Sequence, residues 1–274
     1  MKRKVKIGLI QLSPDLANPL INVNRSLIMI DNLAKQGANF VLFPEFAFTG
    51  YHPAKIGKQM VRQSLSYFQA ISKALSKCAR KNHLVILAGM GYPEECGKVS
   101  NAVCIYDETG HLAGVYRKNF SFANEREYFA MGHQLPIFKT TLAKIGVLIC
   151  YDIGFPETAR KLALQGAEII FIAAAWQKED EFSWELNVQS RALENQVFVA
   201  AVNQSARISD LHLFGRSMIC SPDGLKIIQL DYDREMAALA EIDLAQIQTV
   251  KKKIKYIEDL KNSFLLEKFP GDRV

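Results

Sequence analysis

One segment limits the choice of architecture more than any other: Lys144-Ile145-Gly146-Val147-Leu148-Ile149-Cys150-Tyr151-Asp152-Ile153-Gly154-Phe155-Pro156-Glu157-Thr158-Ala159-Arg160. The apolar run Ile145 to Ile149, opened by a glycine that permits close backbone approach, reads as a buried strand. It stops at a cysteine followed at once by polar and turn-forming residues. Pro156 suits the first turn of a helix, where its missing N–H is not needed, and Ala159, Leu162 and Ala163 follow at helical spacing before Gly166. The spacing therefore predicts strand, sharp turn, helix, with Cys150 at the strand end. A thiol there lies near the positive end of a helix dipole, which is expected to lower its pKa and favour the thiolate.

The same alternation runs through the chain. Val5 to Leu12 reads as a buried strand, and Asn18-Pro19 then opens a helix on Leu20, Val23, Leu27, Ile30 and Ala34. Asn39 to Phe43 is a strand that ends at Pro44-Glu45, followed by a helix from Val61 to Ala79 and a strand from His83 to Gly89. Asp107-Glu108-Thr109-Gly110 and Ser221-Pro222-Asp223-Gly224 are hairpin turns between strand runs. After the central segment come strands at Glu168 to Ala173 and Val197 to Val202, with a helix from about Phe182 to Asn195 between them, and a strand at Ala237 to Ile242. Asn119 to Gly132 shows neither period and reads as a functional loop. Leu244, Ile247, Val250, Ile254 and Ile257 predict one amphipathic helix.

Strands alternating with helices, interrupted by hairpins, predict an α/β protein with mixed sheets. No repeat, low-complexity segment or linker divides residues 1–274, so one domain is the economical expectation. The tail from about 261 to 274 carries Phe264, Leu265, Leu266 and Phe269, which need a surface to pack on. It is expected to cross onto a partner subunit.

Composition narrows the partners. The net charge of +6 is scattered, and its densest run, Lys251 to Lys253 with Lys255, reads as a solvated helix face. No nucleic-acid or membrane partner follows. No apolar run approaches the ~18 residues of a membrane span, and the basic start lacks a signal-peptide cleavage site. Five cysteines without a C-x-x-C pair predict a reducing, cytoplasmic setting. Cys78, Cys96, Cys104 and Cys220 read as packing residues, and the five histidines as structural, with no metal-ligand spacing.

Glu45, Lys118 and Cys150 each fall at or just past a predicted strand end, where α/β folds bind ligands. A thiol, a carboxylate and an ammonium supply a nucleophile, a proton carrier and an oxyanion stabiliser for acyl transfer.

Phe43-Pro44-Glu45-Phe46 with Gly50-Tyr51, Tyr116-Arg117-Lys118, and Ile149-Cys150-Tyr151-Asp152 with Phe155-Pro156-Glu157 and Arg160 resemble the three signature blocks of the nitrilase superfamily. The resemblance continues through Gly166 to Ile170, Arg191 to Asn195 and Gly215 to Gly224, and fades after about Ile242. It implies an α-β-β-α sandwich of two mixed sheets, in subunits that form homodimers or larger homo-oligomers. It implies Cys150 as nucleophile, Glu45 as general base and acid, and Lys118 at the oxyanion, with the Tyr151 backbone N–H beside it. Amidase and carbamoylase branches often carry a further glutamate, here Glu125 with Glu127 as its rival. Trp176 falls at a strand end that lines the family's pocket, and with Trp184 and Phe46 or Phe48 could form an aromatic wall. No cofactor is implied.

True nitrilases usually read Cys-Trp-Glu where this chain reads Cys150-Tyr151-Asp152, which resembles amidases and carbamoyl hydrolases. The expected function is cleavage of a non-peptide C–N bond in a small amide or N-carbamoyl compound. The alternatives are a nitrilase with the same triad and a non-catalytic dimeric scaffold.

Overall fold

The computed structural model describes residues 3–263. In chain order its elements begin with β1 (Lys4–Gln11), α1 (Pro19–Lys35), β2 (Phe40–Leu42), α2 (Pro53–Asn82), β3 (Val85–Pro93), β4 (Val99–Tyr106) and β5 (Leu112–Arg117). The middle holds β6 (Phe138–Lys139), β7 (Lys144–Ile149), α3 (Pro156–Leu164), β8 (Ile169–Ala174), α4 (Glu181–Asn195) and β9 (Phe198–Asn203). The chain continues through β10 (Ser205–Ile208), β11 (Leu211–Phe214), β12 (Met218–Cys220), β13 (Lys226–Gln229), β14 (Met236–Asp243), α5 (Ala245–Lys253) and α6 (Tyr256–Lys261).

Two six-stranded sheets result, in the orders β14-β1-β2-β3-β4-β5 and β13-β12-β9-β8-β7-β6. Each is parallel at its centre (β1, β2 and β3; β7, β8 and β9) and antiparallel outside it, so both are mixed. β10 and β11 form a separate two-stranded ribbon.

Side-chain alternation explains the layering. Ile7, Leu9, Phe40, Leu42, Leu87 and Val103 face the second sheet, with the Phe40 and Phe171 rings 5.4 Å apart between the sheets. The other phase, Ile10, Val41, Ile86, Ala88 and Cys104, packs under α1 and α2. On the far side, Ala159, Leu162, Trp184 and Val188 of α3 and α4 cover the second sheet. The order is helices, sheet, sheet, helices.

Three departures from expectation have local causes. The expected helix from 244 to 257 is two, α5 and α6, broken at Ile254, whose backbone is extended. Gln196 takes over there: its Nε2 donates to Ile254 O at 2.5 Å and its Oε1 accepts from Ile257 N at 3.4 Å. Within the 119–132 loop, Ala123–Glu127 forms a 3₁₀ turn. Cys96 is exposed on a turn rather than packed inside. The tail residues Phe264, Leu265, Leu266 and Phe269 lie outside the described residues.

Candidate active site

Glu45, Lys118 and Cys150 come together because β2, β5 and β7 all end, at their carboxyl ends, on one side of the sandwich. Cys150 is the first residue after β7, at φ +45°, and opens a 3₁₀ turn that leads through Phe155 into α3. A left-handed residue between strand and turn swings the side chain sharply out of the strand direction. The thiol is buried yet lines a cavity of about 520 Å³.

Glu45 sits on the turn after β2, which approaches β3 so closely that a Cβ on Gly89 would lie 2.0 Å from Pro44 O. Its carboxylate is fully enclosed and held at both oxygens. Oε1 accepts from Lys118 Nζ at 2.8 Å and Asn101 Nδ2 at 2.5 Å, and Oε2 accepts from the Ala175 N–H at 3.0 Å. Gln204 Nε2 donates to Glu45 O at 2.6 Å and fixes the turn.

Lys118 is the residue after β5, and its N–H donates to Asn101 O. Its ammonium also donates to Glu125 Oε1 at 2.7 Å. Glu125 is buried and accepts further from Tyr51 OH at 2.6 Å and Phe122 N at 3.0 Å. Glu127 is exposed and accepts from Asn124 Nδ2. Of the two rival glutamates, Glu125 is the one in the cluster.

Two carboxylates around one ammonium explain the electrostatics. Burial alone would pull Lys118 down, but Glu45 and Glu125 together hold it above its ordinary value, so it stays charged. Burial raises Glu45 and the Glu125 charge adds to the rise, against the pull of Lys118. Burial also pushes the Cys150 thiol well above its ordinary value, reinforced by Glu45 and only partly offset by Lys118 and the Ala175 N–H. The fold therefore shifts the thiol upward, opposite to the lowering by a helix dipole expected from the sequence. Desolvation outweighs the helix end, and the thiol needs a base at the moment of attack.

Asp152 braces the cysteine turn. Its Oδ1 accepts from Phe120 N, and its Oδ2 from Tyr116 OH at 2.7 Å and Ile149 N at 3.0 Å, tying the strand carrying Lys118 to the turn carrying Cys150. Burial pushes its carboxyl up to about 6.

Trp176 and Tyr151 line the cavity, with Tyr51 and Phe122. Trp184 lies behind Trp176, its ring centroid 5.7 Å away, and with Phe46 and Phe48 is buried in the core, so the expected wall is made of different aromatics. His52 is a pocket residue rather than a scattered structural histidine: it lines the cavity with its Nε2 3.1 Å from Asp210 Oδ1. Asn101 went unread, although a Ser100-Asn101 pair inside a strand of otherwise buried apolar residues is a visible signal. Among the described residues no three His, Cys, Asp or Glu side chains gather as a metal site.

A thiol at a strand end, in one enclosed cluster with a carboxylate and an ammonium, is equipped for acyl transfer. The sequence matches the carbon–nitrogen hydrolase family over residues 6–252. It is 33% identical over 255 residues to a Schizosaccharomyces pombe protein described as a probable nitrilase, covering 91% of this chain and 92% of that one. It is 30% identical over 260 residues to the 2-oxoglutaramate amidase of Bacillus subtilis, covering 94% and 98%. Its fold matches the crystal structure of a carbon–nitrogen hydrolase from Helicobacter pylori with a TM-score of 0.88 at 22% identity, over 98% and 99% of the chains. The chain belongs to the carbon–nitrogen hydrolase family, the nitrilase superfamily, and is a hydrolase of non-peptide C–N bonds.

Proposed function

We propose that the protein is an amidohydrolase that opens a small amide or N-carbamoyl compound through a thioester on Cys150, releasing ammonia or an amine. The observation that carries this reading is the enclosed Glu45–Lys118–Glu125 cluster beside the pocket-lining thiol of Cys150. Glu45 accepts the thiol proton as sulfur attacks the carbonyl carbon. The oxyanion that forms is met by Lys118 Nζ and the Tyr151 N–H. Glu45 returns the proton to the departing nitrogen, the C–N bond breaks, and the acyl group stays on sulfur. Water, deprotonated by Glu45, then attacks the thioester and the acid leaves with the thiol restored. Glu125 acts through Lys118, whose ammonium it holds together with Glu45. Trp176 and Tyr151 enclose the acyl chain.

The amide reading is preferred to the nitrile because of the Cys150-Tyr151-Asp152 block. Asp152 is met at 2.7 to 3.0 Å by three donors, a fit that a side chain one methylene longer would disturb. The reaction suits a cytoplasmic protein, since Cys150 works only as a free thiol. We also propose that it acts as a homodimer through the outer face of α4, where Phe182 is 81% and Leu186 52% exposed.

Ammonia release from short amides, N-carbamoyl amines and amino acids, and matched nitriles tests the reaction class. Turnover of amides or carbamoyl compounds that disappears in Cys150→Ala supports it. Turnover of nitriles alone, or activity retained in that variant, overturns it.

A further inference from the structure

The pocket has an uneven chemistry. Close to Cys150 its walls are aromatic, from Tyr51, Phe122, Tyr151 and Trp176. Toward solvent it is lined by three exposed acidic residues, Glu179, Asp180 and Asp210, while among the described residues no Lys or Arg lines it.

The neighbouring cations do not cancel that charge. Lys178 is ion-paired with Glu181 and sits 4.2 Å from the centroid of the Tyr232 ring. Lys55 Nζ is 4.0 Å from Asp210 Oδ1 and His52 Nε2 is 3.1 Å from the same oxygen, so of the three acidic residues Asp210 alone faces an ammonium and an imidazole. Asp180 Oδ2 accepts only from the neutral Gln177 amide, at 2.5 Å. Glu179 is exposed and has no hydrogen bond or ion pair among the described residues. Deeper in, Lys118 is matched by two carboxylates, so the floor supplies no free positive charge.

We propose that this pocket selects amide or carbamoyl substrates whose distal end is cationic, an ammonium or guanidinium group, and rejects those ending in a carboxylate. A cleft with one sign of charge and low-dielectric walls concentrates counter-ions at its mouth. The aromatic faces add attraction for a cation as it is desolvated. A substrate carboxylate would enter beside Glu179 and Asp180 without a donor to replace its hydration. The reacting bond rests on the amidase reading; the charge selection does not.

Two measurements on the full chain separate the two. In the first, kcat/KM is compared for three alkanamides of equal length that end in an amine, a methyl group or a carboxylate. The expected order is amine, methyl, carboxylate, with more than about a tenfold gap between the extremes at low salt, shrinking as salt rises. In the second, Cys150 is modified by methanethiosulfonates bearing an ammonium or a sulfonate. Rates are read by peptide mass spectrometry and normalised to a neutral free thiol, with exposed Cys96 as reference within the molecule. The ammonium reagent should react at least about tenfold faster at Cys150, and the preference should fall severalfold in Glu179→Gln/Asp180→Asn. Parity, a preference for the sulfonate, or a preference unmoved by that double variant overturns the proposal, whether or not any amide turns over. No turnover of the three amides with the ammonium preference intact would count against the amidase reading and leave the charge selection standing.

Discussion

Cys150 and Glu45 share one problem, which is that burial makes both reluctant to ionise. The lone pair of a neutral thiol is a weak nucleophile, so the proton has to move to Glu45 during attack rather than before it. Glu45→Gln keeps shape but cannot take the proton, and turnover should fall by roughly 10²- to 10⁴-fold in a steady-state assay, with substrate affinity little changed. Because Glu45 is raised, activity should be lost on the acid side at a pH above the ordinary glutamate range. Lys118, held high between two carboxylates, should contribute no loss on the alkaline side of neutrality. Asp152 gives a separate handle on stability. Burial raises its carboxyl from the ordinary aspartate value of 3.8 to about 6 in the fold, so between those values the folded state binds the proton more tightly than the unfolded chain. Its contribution is then most favourable at low pH and is lost as pH rises through about 6. The stability of Asp152→Asn relative to wild type should rise by up to roughly 3 kcal/mol from pH 4 to pH 7 in denaturant titrations. A pH-independent difference would contradict the burial argument.

Strand ends and the turns after them carry most of the chemistry, and this is where sequence and structure can be compared in physical terms. The β7–Cys150–α3 segment was legible because apolar run, turn residues and Pro156 agree on one local answer. Both hairpins with glycine turns, β4–β5 and β12–β13, were legible for the same reason. The ribbon β10–β11 was not: its turn at Ser209-Asp210 has no glycine, with Ser209 itself at φ +57°. Missing it hid Asp210 and with it the place of His52 in the pocket. The α5–α6 break was invisible for another reason. The apolar period runs straight through Ile254, and the residue that ends the helix, Gln196, is 58 positions away. Choosing Glu125 over Glu127 likewise needed the 3₁₀ turn, which brings the Glu125 carboxylate back onto Phe122 N. At this scale Gly89→Ala is the informative change. Its Cβ would meet the backbone of Pro44 and Glu45, which cannot rotate away, so β3 and the Glu45 turn must part. We expect a loss of about 1–3 kcal/mol in the unfolding free energy, together with a drop in kcat of at least about tenfold from misplaced Glu45. Gly154→Ala, where a Cβ meets nothing within 4 Å, should leave stability within about 1 kcal/mol.

For the whole molecule, the two sheets pack into an apolar core that leaves helices on both outer faces, and α4 is an outer helix that also lines the pocket. Ser183 and Asn187 line the pocket from one side of that helix. Phe182, Leu186 and Leu193, spaced at i, i+4 and i+11, form an exposed stripe beside those two residues, on the face away from the buried Trp184 and Val188. A stripe of this kind is expected to be covered by a second copy. Phe182→Asp with Leu186→Asp should convert a dimer to monomers in sedimentation at micromolar concentration without unfolding the chain, since neither residue contributes to the core. A wild-type protein that sediments as a monomer would remove the dimer proposal and leave the chemistry untouched.

The most direct test of the chemistry is whether acyl carbon becomes bonded to Cys150. Wild-type protein mixed with a turned-over amide and quenched in acid within the first turnovers should show, by intact and peptide mass spectrometry, a mass increase equal to the acyl group on the peptide containing Cys150. The adduct should disappear on incubation at neutral pH and be absent from Cys150→Ala. Turnover with no adduct on Cys150 under any quench time, or an adduct on another residue, would contradict a thioester route through this site.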